Sequence, residues 1–287
     1  VDIKKYYKYW PILSGLAAFI IITTITILLA RNYRLNRLSP IISPISAGGH
    51  HSLAIMEDGS LFAWGNNRNG QLGNGTTEDE LNPIWIMENV VSVSAGGGSN
   101  SFGRAGYSLV LKNDNVLWGW GSAFSGTLGI GGRTVDSESG WGVWPPYFPL
   151  GQRRVNERPI FNILNPVRIM RNIVQISAAS THSVAIRGDG TLFGWGNNES
   201  PRIGLPSNSL LRLRRNSRMS DNIVIYPESM IDNIMYVSTG RNNILAITED
   251  NTLLGWGDNY FGQLSEYAQP SSNIGVVIME NVISVSA

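Results

Sequence analysis

A five-residue mark ending in Trp-Gly returns four times along this chain, as LFAWG (61–65), LWGWG (117–121), LFGWG (192–196) and LLGWG (253–257). No other feature constrains the fold as much, because a unit repeating every few tens of residues builds a solenoid or a propeller. With Trp64, Trp120, Trp195 and Trp256 as origins, further marks fall into register. Six residues earlier stand Asp58, Asp114, Asp189 and Asp250, in Asp-Gly or Asp-Asn pairs. These predict two-residue type I′ hairpin turns, since Asp, Asn and Gly tolerate the positive φ that both central positions demand. Thirteen residues before each tryptophan, His51, Tyr107, His182 and Asn243 open the short strands HSLAI, YSLVL, HSVAI and NILAI. After each Trp-Gly, Gly70, Gly126, Pro201 and Gly262 share one offset, followed by Leu72, Leu128, Ile203 and Leu264. Between units lies a third element, IMENVVSVSA (86–95), IMRNIVQISA (169–178), MIDNIMYVST (230–239) and IMENVISVSA (278–287). Its alternation of apolar and small polar residues predicts a strand that delivers the chain into the next unit.

Each unit therefore offers about four short antiparallel strands, and one such sheet alone leaves both faces wet. Stacking the sheets around an axis buries those faces, so the prediction is an all-β fold of four propeller blades, in units of about 46–93, 94–176, 177–237 and 238–285. Composition agrees: 32 Gly and 9 Trp with 15% charged residues suit many short strands and tight turns. The tryptophans of the Trp-Gly pairs are expected at equivalent buried positions between sheets.

The segment SAGGHHSLAIMEDGSLFAWGNNRNGQLG (46–73) resembles the repeat of the regulator of chromosome condensation family, through its Ala-Gly, His-Ser, Trp-Gly and Gly-Gln-Leu-Gly marks. The resemblance covers essentially everything after Pro44. Later units depart from it, with Tyr107 or Asn243 in place of His, Pro201-Arg202-Ile203-Gly204 in place of Gly-Gln-Leu-Gly, and Ser265 closing the last loop. Family members commonly close a ring of seven blades, so four units imply an incomplete array, either a fragment of a longer product or an open arc of four blades with an exposed edge strand. The resemblance implies an interaction platform. Its alternatives are guanine-nucleotide exchange on a small GTPase, as in the name-giving members, and inhibition of an enzyme by a protein of similar fold.

Before the repeats, residues 12–30 read ILSGLAAFIIITTITILLA, nineteen residues without a charge. At 1.5 Å per residue a helix there spans roughly 28 Å, about one hydrocarbon core. Tyr9, Trp10 and Tyr33 suit the interfaces, with Lys4, Lys5 and Lys8 on one side and Arg31, Arg34 and Arg37 on the other. The expected organisation is a basic tail (1–11), a transmembrane signal anchor (12–30), a linker (31–45) and the repeat domain (46–287). A cleaved signal peptide is the rival account, against which Leu28-Leu29-Ala30-Arg31 makes a poor cleavage site. The flanking charges tie, so orientation rests on the short tail. Such a tail ordinarily stays in the cytosol, which places the propeller outside it, in a single-pass membrane protein.

Catalytic chemistry finds little footing. A net charge of +1 gives no reason to expect a specific nucleic acid partner, and the lack of cysteine removes disulfides, thiolate zinc sites and a Cys nucleophile. Of the three histidines, His51 and His182 share one repeat position and read as structural. The glycines of GGGSNSFGRAG (96–106) lack the Gly-Lys-Ser/Thr ending of a phosphate loop. The chain is therefore expected to be no enzyme, with no catalytic, cofactor or metal site, and to bind a protein partner of unknown identity. Candidate partner-binding residues lie in two insertions outside the repeat: Trp141, Trp144, Tyr147, Phe148, Arg153 and Arg154 in the first, and Arg212, Arg214, Arg215 and Arg218 in the second. Aromatic and arginine side chains are what binding hot spots favour. Aromatics folded back on their own blade, and a solvated basic loop, are the competing accounts.

Overall fold

The computed structural model describes residues 42–100, 103–130, 134–135, 142–143, 162–198, 203–204, 223–265 and 272–287. The first sheet is a meander of β1 (Ile45–Ala47), β2 (His51–Ile55), β3 (Leu61–Gly65) and β4 (Glu80–Met87). The second joins β5 (Val90–Asn100), β6 (Gly103–Lys112) and β7 (Leu117–Ser122). A small hairpin of β8 (Thr134–Val135) and β9 (Gly142–Val143) then intervenes before β10 (Asn162–Met170) completes that sheet. The third is β11 (Ile173–Ala178), β12 (His182–Arg187), β13 (Leu192–Asn197) and β14 (Ile223–Ile231). The fourth is β15 (Ile234–Thr239), β16 (Asn243–Thr248), β17 (Leu253–Gly257) and β18 (Ser272–Met279). All four sheets are antiparallel, as the repeat predicts. The glycines of 96–106 lengthen the β5–β6 hairpin, where Gly97 faces Gly106 and Gly98 faces Ala105.

Two local expectations are corrected. The aspartate turns are not type I′: positive φ falls only on Gly59, Asn115, Gly190 and Asn251, each one residue after the aspartate. In the first, Gly59 N–H donates to Met56 O (2.9 Å) and Met56 N–H to Ser60 O (2.9 Å), a turn followed by a left-handed residue and a bulge. The carboxylate accepts the amide two residues on, as from Ser60 to Asp58 (2.9 Å) and from Thr191 to Asp189 (3.1 Å). The third element, too, is not a single strand. Asn89, Asn172, Asn233 and Asn281 adopt φ of 59–63°. There the outer strand of one sheet turns into the inner strand of the next, so the sheets after the first open at Val90, Ile173 and Ile234.

The core lies between sheets. One cluster packs Leu53, Leu61 and Leu72 of the first sheet against Val93, Val110 and Trp120 of the second; another joins Leu109, Leu117 and Leu128 to Ile173, Ile176 and Trp195. Trp120 and Trp195 are fully buried and Trp256 is 3% exposed, but Trp64 is only half-buried. Its equivalence in register holds while its expected burial does not, and the interfaces supply the reason. Each buried indole packs against a loop of the preceding sheet, and among the described residues no sheet precedes the first.

Neighbouring inner strands are locked by a recurrent serine. Ala95 N–H donates to Ser46 Oγ (2.9 Å), Ala178 to Ser94 (2.9 Å), Thr239 to Ser177 (3.1 Å) and Ala287 to Ser238 (3.0 Å). A second lock runs from Val90 to Gly59 O, Ile173 to Asn115 O, Ile234 to Gly190 O and Val282 to Asn251 O, at 2.9–3.0 Å. The small polar residues of the alternating element are thus donors and acceptors between blades rather than a solvated face.

The segment 12–30 lies outside the described residues, and among these no helix is long and apolar enough to cross a membrane.

Candidate interaction surface around the blade axis

Each inner strand ends in a small-residue mark, Ala47-Gly48-Gly49, Ala95-Gly96-Gly97, Ala178-Ala179-Ser180 or Thr239-Gly240-Arg241. Packing explains the size limit. A Cβ on Gly48 would come within 2.7 Å of Cε1 of His51, and one on Gly49 within 3.0 Å of Gly98 Cα. The four marks, joined by Ala287, surround an open depression of about 490 Å³. Its walls are backbone and small neutral side chains, with the guanidinium of Arg241 as its charged group. Such a surface recognises shape and backbone hydrogen-bonding pattern; it holds no acid–base pair.

Behind the rim, the residues that open the second strands bridge blades. His51 Nε2 lies 3.0 Å from Ser108 Oγ, which donates to Gln71 O (2.7 Å). Because that hydroxyl proton is committed, His51 is the donor and carries its proton on Nε2, leaving Nδ1 buried without a partner. Burial first, and the neighbouring His50 second, lower its pKa to about 4, so the ring is neutral near pH 7. Tyr107 stands at the same position one blade on and is fully buried. Its hydroxyl donates to His182 O (2.7 Å), with Ala179 O at 3.0 Å and Ser183 Oγ at 2.9 Å. Burial pushes its pKa well above the usual phenol value. Among the described residues there is no group of three His, Cys, Asp or Glu that would hold a metal ion.

The loop after each Trp-Gly forms the other half of the blade contact. Gln71 O accepts from Ser108 Oγ and from Trp120 Nε1 (2.8 Å); Thr127 O accepts from Ser183 Oγ (2.8 Å) and Trp195 Nε1 (2.8 Å). Asparagines at one repeat offset shape the loop. Asn67 Oδ1 accepts from Leu72 N–H (2.9 Å), Asn198 from Ile203 (2.9 Å) and Asn259 from Leu264 (2.8 Å). These asparagines escaped the sequence reading, although their constant spacing of three after the tryptophan was there to be seen. Trp141, Trp144, Tyr147, Phe148, Arg153, Arg154, Arg212, Arg214, Arg215 and Arg218 all lie outside the described residues.

Four meandering sheets, each passing its outer strand into the next sheet's inner strand and pinned there by a buried indole, define an array of β-propeller blades. The blades are built from regulator of chromosome condensation (RCC1) repeats: one model of that repeat matches residues 58–102 and a second matches 42–71, 173–200 and 236–263. The ultraviolet-B receptor UVR8 of Arabidopsis thaliana is 30% identical over 256 residues, covering 78% of this chain and 54% of the receptor. Among solved structures, human WBSCR16 superposes with a TM-score of 0.60 at 20% identity, covering 84% of this chain and 54% of that one. Prp20p of Saccharomyces cerevisiae, described with its binding to Gsp1p and histones, gives 0.55 at 23% identity, covering 83% and 51%. The chain spans about half the length of each, and the two structural likenesses establish the fold alone.

Proposed function

We propose that this chain is an interaction module that binds a protein partner through the loops of its blades, tethered to a membrane by residues 12–30 with the blades outside the cytosol. The observation that carries the binding reading is the depression around the axis, where four repeats converge on backbone and small neutral side chains. Binding by such a scaffold needs no catalytic group, and loops on a rigid sheet array are where recognition ordinarily sits. On this reading the insertions bearing Trp141, Trp144, Tyr147, Phe148, Arg153, Arg154, Arg212, Arg214, Arg215 and Arg218 supply further affinity. Support comes from relatives of the same repeat: UVR8 is a receptor, and Prp20p is described with Gsp1p and histones. Regulation of a small GTPase is the narrower form of this reading, and it needs blades on the cytosolic side.

One experiment separates these outcomes. A cell-surface cross-linker that does not enter cells is applied to intact cells carrying the full chain, and cross-linked proteins are identified. Wild type is compared with two variants, Trp141→Ala with Trp144→Ala, and Arg212→Ala with Arg214→Ala and Arg215→Ala. A single partner captured from outside, and weakened at least tenfold by one of the two sets, is the expected result. A chain untouched from outside overturns the orientation, and a partner bound equally by all variants moves the interface off the insertions.

A further inference from the structure

The two ends of the blades differ in charge. Away from the axis depression lie the hairpin turns and the junctions between blades, where the N–H groups of Asn113, Gly188 and Glu249 donate to the carbonyls of Asn89, Asn172 and Asn233. That end holds the four turn aspartates with Glu57, Glu88, Asp232, Glu249 and Glu280, against Lys112, Arg171 and Arg187. The rim of the depression is the reverse. Its four small-residue marks, and the β5–β6 hairpin from Ala95 to Tyr107, contain no carboxylate, and their charged residues are Arg104 and Arg241. Arg241 is exposed and makes no ion pair among the described residues. The described carboxylates of that end lie in the connections to the fourth strands, where Asp79 accepts from Asn66 Nδ2 (3.0 Å) and Asn67 N–H (2.8 Å), and Asp258 from Tyr260 N–H (3.0 Å).

The hairpin adds a second feature. β6 pairs with β7 only from Tyr107 onward and β5 ends its sheet, so the rungs Gly98–Ala105, Ser99–Arg104 and Asn100–Gly103 run past the sheet as two strands alone. β2, β12 and β16 open at His51, His182 and Asn243, the positions equivalent to Tyr107, so the other blades lack this extension. Its axis-facing edge is already used once, by Gly97 N–H donating to Ala179 O (2.9 Å). Ser99, two residues on, directs its N–H and C=O to the same edge. Ser180 connects that edge to the arginine: a Cβ on Gly98 would lie 3.8 Å from Ser180 Cβ, and Ser180 Oγ donates to Arg241 O (3.4 Å).

We infer that the partner offers an extended acidic segment, which adds as a strand to the axis-facing edge of β5 beyond Gly97 and brings its carboxylates to Arg241. This rests on reading the chain as a protein-binding module and names the chemistry of what it binds. Main-chain bonds along the edge select an extended backbone, and a rim with arginine and no carboxylate selects acid over base. A basic segment is drawn to the opposite end of the blades instead.

The probe is a fluorescein-labelled peptide of alternating Glu and Val, titrated by anisotropy with the full chain in neutral detergent. It is expected to bind, more weakly as salt rises. Arg241→Glu weakens it by about tenfold or more, and Glu57→Lys, at the opposite end, leaves it unchanged. Replacing residues 98–105 with Asn-Gly closes the hairpin directly above Gly97 and Gly106 and abolishes binding. Methylation of the peptide's amides at alternate residues is a readout that charge alone does not move: one alternate set blocks binding and the other leaves it, because only one edge of an added strand pairs. A peptide that does not bind, binding indifferent to Arg241→Glu and to the shortened hairpin, or equal effects of the two methylated sets each overturns the inference. Carrying Arg241→Glu into the cell-surface cross-linking experiment separates the two readings. A partner captured equally by wild type and Arg241→Glu overturns the acidic segment and leaves the module standing; a wild type that captures no partner fails the module, and the inference falls with it.

Discussion

His51 is neutral because the fold withholds water from it, and that makes stability depend on pH. Its pKa is about 4 in the folded chain and 6.5 in the ordinary state, so on acidification the unfolded chain takes up the proton first. The stabilisation is complete above pH 6.5 and is lost as pH falls towards 4, by about 3 kcal/mol at most. Urea midpoints should therefore fall steeply between pH 6.5 and 4, and His51→Gln should flatten that interval while leaving the slope below it. Arg187 holds the Asp189 carboxyl at about 2 through a 2.6 Å ion pair, so its loss comes at still lower pH; the pair is exposed and contributes little. The tryptophans make a second residue-scale contrast. Replacing Trp120 or Trp195 with Ala empties a sealed site and removes one of the two hydrogen bonds to the Gln71 or Thr127 carbonyl, at a cost of about 3–5 kcal/mol. Trp64→Ala should cost less than half as much, because its indole is only half-buried and bonds to nothing; equal losses in urea unfolding would refute the packing asymmetry.

Between elements, the left-handed asparagines convert an outer strand into the next inner strand. Asn172 is exposed with φ of 59°, so its side chain matters for conformation rather than packing. Asn172→Ala should cost about 1 kcal/mol in chemical unfolding, because the short polar side chain of asparagine suits the left-handed region and a methyl does not, whereas Asn172→Gly should lie within a few tenths of wild type. Much of this architecture was legible in the repeat, since strands, hairpins and the second-strand residues recur at fixed offsets from the tryptophans. What was not legible depends on φ or on a neighbouring blade. Asp-Gly and Asp-Asn pairs serve a type I′ turn and a bulged turn alike, and IMENVVSVSA gives no sign that Asn89 breaks it in two. The carbonyls of Gln71 and Thr127 are invisible as motif residues, because a backbone acceptor leaves no mark on side-chain identity. The axis depression was hidden for a related reason: glycine carries no side chain to mark the contacts it permits, and the task of Gly48 and Gly49 is to let His51 and Gly98 approach.

At the scale of the whole repeat domain, burial is uneven along the array. The exposed large hydrophobic side chains among the described residues include Ile42, Ile45, Met56, Leu81 and Trp85 at the start and Tyr260, Phe261, Val277, Met279 and Ile283 at the end. The described residues of the two middle blades contribute Ile231 alone. Middle sheets are covered on both faces by neighbours, so opening β6 or β12 breaks two interfaces, whereas opening β2 or β18 breaks one. In a linear array, stability is close to a sum of unit and nearest-neighbour terms, and protection follows the number of neighbours. Amide exchange should thus be slowest in β6 and β12 and faster in β2 and β18. Trp120→Ala weakens the contact between the first two blades alone, so it should lower protection throughout β1–β4 while leaving β15–β18 close to wild type. The experiment is peptide-resolved hydrogen–deuterium exchange. A uniform loss of protection across all four blades would mean that the array unfolds as one cooperative body, and the nearest-neighbour account of its stability would fail.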